Sequence, residues 1–187
     1  MSSSSGGELF FALYVRDALG LPSTSPEPVP PLEPAVERLS VALPVDRSTA
    51  ALRWDRWWDR LVGARVAAPD ARVPPAGLPD AFGDLTARLR RDSSRWSREQ
   101  WAEQRRRGEP DTRDVFPVQE AVDRVSRELG RDRLLFDLSV EEVPVRGFLW
   151  RRLGPRTVLA STTMLRSPRV VAELRAMIRE LVDGGTG

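Results

Sequence analysis

The chain has 187 residues, of which 41% are apolar, and its 29 basic side chains against 27 acidic ones leave a net charge of only +2. Every basic residue is an arginine, and cysteine and histidine are both absent. This excludes disulfides, thiolate nucleophiles, imidazole acid–base or metal chemistry, Schiff-base lysines and the phosphate-binding lysine of a P-loop.

Residues 1–7 are rich in serine and glycine and read as a mobile start. From Glu8 to Leu19 the pattern predicts a helix, with Ser5 and Glu8 placed as a capping box, Gly20 after the last turn and Pro22 as a stop. Its apolar residues, among them Leu9, Phe10, Phe11, Leu13 and Tyr14, nearly encircle it, so it must be buried or meet a partner. It is too short, and too charged at Arg16 and Asp17, to span a membrane. Residues 22–34 carry six prolines and read as an extended, polyproline-like linker. Leu39, Val41, Leu43 and Val45 alternate, which hints at a short strand that Pro44 confines to an edge.

Ser48 or Thr49 is placed to cap a helix running to about Val62, with Ala51, Trp54, Trp58 and Leu61 on one face and Trp57 at its margin beside Arg53 or Arg60. A loop from Ala64 to Pro79 leads to Asp80, which opens a long helical pattern ending at Gly108 and Pro110. Pro117 starts another helix, carried by Ala121, Val122, Val125 and Leu129 and ended by Gly130. Leu134, Phe136, Leu138 and Val140 then alternate as in a half-buried strand. Turns at Arg146-Gly147 and Gly154-Pro155 lead to further strands over Phe148–Arg152 and Arg156–Thr162. Ser167-Pro168 opens a last helix with Val170, Leu174, Ile178 and Val182 along its stripe.

The expected fold is α+β. A mobile N-terminus (1–7) precedes a mainly helical region (8–115) with its Pro-rich linker at 22–34, and a C-terminal helix–three-stranded antiparallel meander–helix unit occupies 116–183, the whole forming one compact domain. The order of this last unit follows that of double-stranded RNA-binding domains. Their basic cluster and histidine-bearing loop have no counterpart in Ser167-Pro168-Arg169-Val170-Val171 or Val143-Pro144-Val145-Arg146-Gly147, so no family is assigned.

No nucleophile elbow, dinucleotide fingerprint or cation loop is present, and no catalytic residue, cofactor or metal is assigned. Three function classes remain. The first is a non-enzymatic protein-interaction module of the adaptor, accessory-subunit, chaperone or immunity type, using Phe10, Phe11, Tyr14, Arg53, Trp54 and Trp57, residue types enriched at interface hot spots. The second is nucleic-acid binding. Between Leu85 and Arg107 eight arginines face three carboxylates, and Arg88, Arg91, Arg95 and Arg98 line one helix face beside Trp96 and Trp101, the means for phosphate contact and base stacking. The third is an enzyme relying on carboxylates and hydroxyls, with Ser161-Thr162-Thr163 as its site. A bacterial, cytoplasmic chain is expected, with a protein partner, nucleic acid or a second copy as partner and no membrane.

Overall fold

The computed structural model describes residues 2–5, 7–68, 82, 85–109, 117–131 and 133–184, with the side chains of 2–5 excepted. Six helices and four strands lie among the described residues. They run β1 (Ser2–Ser5), α1 (Gly7–Leu19), α2 (Arg47–Ala67), α3 (Leu85–Arg106), α4 (Val118–Leu129), β2 (Ser139–Val143), β3 (Trp150–Gly154), β4 (Thr157–Ser161), α5 (Thr162–Leu165) and α6 (Arg169–Gly184). The class is α+β. The boundary expected near 115, the start of the helix expected at Asp80 and most of the loop before it lie outside the described residues.

The strands form one sheet in the order β1-β2-β4-β3. It is mixed where an antiparallel meander was expected: β2 runs parallel to β4, and only β3 and β4 form an antiparallel hairpin. The chain leaves β2, crosses to the outer position as β3, and hairpins back as β4 between them. This parallel pairing also parts the unit from the RNA-binding topology. β1, expected as a mobile start, pairs parallel with β2, Ser2 opposite Ser139.

Side chains alternate along the strands, and both faces of the sheet are covered. Leu138, Val140, Val158 and Ala160 meet α4 and α6 in one core cluster, while Val143, Val145, Leu149 and Leu159 meet α1 and α2 in the other. β2 is therefore buried on both sides, and of the half-buried strand expected over 134–140 only Ser139 and Val140 are strand. α1 is buried all round, as its composition demands. Glu8, expected to close a capping box with Ser5, instead pairs with Arg90. α2 is capped by Asp46, where Ser48 or Thr49 was expected; the Asp46 side chain accepts from the Thr49 N–H, and the helix continues past Val62 to Ala67, because Arg65 and Val66 have partners on the sheet. Pro117 and Gly130, the latter left-handed at φ 62°, bound α4 as its sequence requires.

The Pro-rich segment is extended but packed, not a free linker. Its prolines leave carbonyls without a strand partner, and α1 supplies donors. Arg16 donates to Val29 O (2.6 Å) and Pro30 O (2.9 Å), while Asp17 accepts from Leu32 N (2.6 Å). Val29 and Leu32 are buried, and Leu32 bridges to Val145 beyond β2. The alternating residues Leu39, Val41, Leu43 and Val45 pack against the same core without forming a strand.

Candidate functional site

α3 carries the arginine pattern, and its packing determines which way that pattern points. Leu89 and Ser93 are its buried residues. Trp96 stacks on Phe10 with ring centroids 5.6 Å apart and meets Tyr14 edge-on at 6.5 Å. Burial raises the Tyr14 phenol above its ordinary pKa, Asp92 adds to the rise and Arg95 opposes it, so the ring stays neutral in this contact. Next to it, the Arg90 guanidinium lies 4.3 Å from the Phe11 ring centroid and holds Glu8 through two bonds of 3.0 and 3.2 Å. A cation over an aromatic face with a bidentate carboxylate resists rotation of the helix.

With that face inward, the helical period places Arg88, Arg91, Arg95, Arg98 and Arg105 on the opposite side, and all five are exposed. Asp92 tempers two of them, at 3.6 Å from Arg88 and 3.3 Å from Arg95. Glu103 pairs with Arg107 and Arg106; the hydrogen bond from Arg107, then the charge of Arg106, hold its carboxyl below the usual range. Among the described residues Arg91, Arg98 and Arg105 enter no ion pair. Trp101 is 42% exposed and stands three residues after Arg98 and four before Arg105, so the indole is flanked by both guanidinia on one helix surface. Of the two tryptophans expected beside the stripe, Trp96 belongs to the packing face and Trp101 to the arginine face. At the far end Glu109 pairs with Arg166, next to the start of α6, and ties the end of the helix to the rest of the fold.

The first set of candidate residues is distributed differently. Phe11, Tyr14 and Trp54 are buried, and Trp57, expected at a margin, is fully buried. The reason is the neighbouring helix: α1 covers the side of α2 that carries Trp57, whose ring meets Phe11 edge-on at 6.0 Å. Trp54 donates from Nε1 to Ala12 O at 2.7 Å and stacks on Trp58. Phe10 is half-buried, and only Arg53 of the six is exposed, next to the exposed Leu52 in the chain.

The hydroxyl of Ser161, in the third candidate site, is committed to structure. It accepts from Leu149 N and Met164 N at 3.0 and 3.1 Å and donates to Gly147 O at 2.8 Å, capping α5. Thr162 donates to Glu142. Among the described residues no three carboxylates gather as a metal site, and no helix is long and apolar enough to cross a membrane. Sequence reading missed Arg90 as the anchor of α3; its spacing from Leu89 and Trp96 identifies the inward side, but Glu8 and Phe11 are 82 and 79 residues away in the chain. Compared with family models, with curated proteins and with solved structures, the chain has no significant match.

Proposed function

We propose that this protein acts by binding nucleic acid through the outward face of α3, with Arg91, Arg98 and Arg105 contacting phosphates and Trp101 offering a stacking surface. The observation that carries the reading is the exposed indole between two arginines that enter no ion pair among the described residues, on a helix whose opposite side is anchored. Guanidinia release counterions when they meet phosphates, and an exposed ring stacks on any base. A single strand is the better substrate, because its bases are open to the indole. A cytoplasmic location belongs to the same proposal.

Binding of labelled single-stranded DNA across a salt series tests it. Affinity should fall steeply with salt, and replacing Arg91, Arg98 and Arg105 by glutamine should flatten the log–log slope by roughly 2, at about 0.7 per lost phosphate contact. Trp101→Ala should weaken binding at every salt concentration by about 1–3 kcal/mol without changing the slope. A chain that shows no binding at low salt removes the proposal.

Arg53 and Leu52, both exposed on α2, support a second reading in which a protein partner docks there. Under it, Leu52→Asp with Arg53→Glu releases a copurifying protein and leaves DNA binding unchanged.

A further inference from the structure

The strap formed by residues 23–28 arches over the outer side of α2 and encloses a cavity of about 380 Å³ with it. Its floor is the Trp54–Trp58 pair, stacked at 5.6 Å and tilted by only 15°. Asp55 and Asp59 reach the cavity from the same helix and Glu27 from the strap. Among the described residues none of these three carboxylates enters an ion pair; Asp55 accepts only the hydroxyl of Thr24, in the strap. The two arginines in the wall pair with none of the three, which outnumber them. Arg16 lies over Trp54, 5.7 Å from the ring centroid, and is paired with Asp17 at 2.7 Å while its outer nitrogens serve Val29 and Pro30. Arg151 turns to the Pro28 carbonyl at 3.4 Å.

A chain with more arginines than carboxylates thus encloses an acidic, aromatic pocket. An indole face attracts a cation through its quadrupole, and a carboxylate beside it adds charge complementarity; together they select a positively charged nitrogen carried on a small apolar body. Arg16 already shows this pairing on Trp54, which leaves the half-buried Trp58 as the ring open to a ligand. We propose that this cavity binds a small alkylammonium ligand, with its nitrogen between the Trp58 ring and the Asp55 and Asp59 carboxylates. The ligand takes the place of the Thr24 hydroxyl on Asp55, so binding loosens the strap at Thr24. This site is separate from the arginine face of α3 and has the opposite charge.

Calorimetric titration of the full chain with choline, and with its uncharged carbon isostere dimethylbutanol, tests the assignment. Choline should bind saturably and the isostere at least about tenfold more weakly, since the two have the same shape and only one has the charge. Asp59→Asn, an exposed change that leaves the fold intact, should weaken choline severalfold and leave the isostere unaffected; Trp58→Leu should abolish both. A blocked lysine amide is a third arm: binding no tighter than choline supports a small free ligand, whereas tighter binding transfers the pocket to a cationic side chain of a partner and overturns the small-ligand assignment. Equal affinity for choline and the isostere, or no saturable binding of choline by the folded chain, also overturns it.

Discussion

Arg65, in the last turn of α2, meets Glu141, in the middle of β2, at 3.1 Å, and the carboxylate side chain is completely shielded from solvent. The contact joins the helical layer to the sheet at the point where β2 is covered on both faces. Its two charges have left water, and each stabilises the fold only while the other is present.

Removing one partner should therefore cost far more than removing both. Glu141→Leu or Arg65→Met alone is expected to destabilise by about 3–5 kcal/mol, because a buried charge is left uncompensated. The double change Arg65→Met with Glu141→Leu, similar in volume and apolar, should recover most of that loss. Urea unfolding of the four proteins gives the double-mutant cycle directly, and additive losses would show that the pair is not coupled.

A close approach next to this pair gives a second expectation. A Cβ at Gly154 would stand 2.6 Å from Val66 Cγ1 and 3.0 Å from its Cγ2. Val66 is β-branched and helical, so its side chain has little rotamer freedom with which to yield. Gly154→Ala should cost about 1–3 kcal/mol by overpacking. In a Val66→Ala background the same change should be nearly neutral; an equal cost in both backgrounds would place the strain in the backbone of β3, at its register shift.

These two contacts also show where the sequence stops being informative. Helices with a local signature are legible: α1 through its all-round apolar surface, α4 through Pro117 and Gly130, α6 through Ser167-Pro168 and its stripe. Pairing of distant segments is not. Nothing near Glu141 in the chain announces that Arg65 will reach it, so an acidic residue in a strand reads as solvent-facing. Sheet order is hidden for the same reason, since a short run such as Arg156–Thr162 alternates identically in a parallel and an antiparallel neighbour. The arginine face was legible as a helical stripe, but its outward direction follows from Arg90, Glu8 and Phe11, a contact between elements far apart in the chain. The acidic cavity was illegible altogether, because the strap that closes it reads as a linker.

Asp46 makes the start of α2 sensitive to acid. The Thr49 hydroxyl and then the Thr49 N–H, at 2.7 and 2.9 Å, lower its carboxyl pKa below the ordinary aspartate value. A depressed value in the folded state means that the cap stabilises fully above the unfolded-state pKa, about 3.9, and that this contribution is lost as pH falls through the lower folded value. Asp46→Asn retains a side-chain acceptor that does not titrate. The melting temperature of the wild type should exceed that of the variant near pH 6 and approach it as the pH drops below 4. A difference that stays constant over this range would show that the carboxylate charge plays no part in the cap.

The two buried indoles of α2 should respond unequally to the same change. Trp54 Nε1 donates to the Ala12 carbonyl at 2.7 Å, whereas Trp57 Nε1 is buried and has no hydrogen-bond partner among the described residues. Replacing tryptophan by phenylalanine removes the N–H and part of the ring at either position, so the packing losses are comparable. At position 54 the change also breaks a bond, with a net loss of about 0.5–1.5 kcal/mol, and at position 57 it removes a donor whose desolvation was uncompensated. Trp54→Phe should thus be less stable than Trp57→Phe by about 1–2 kcal/mol in urea unfolding. Equal losses would mean that the Trp57 N–H is satisfied in solution.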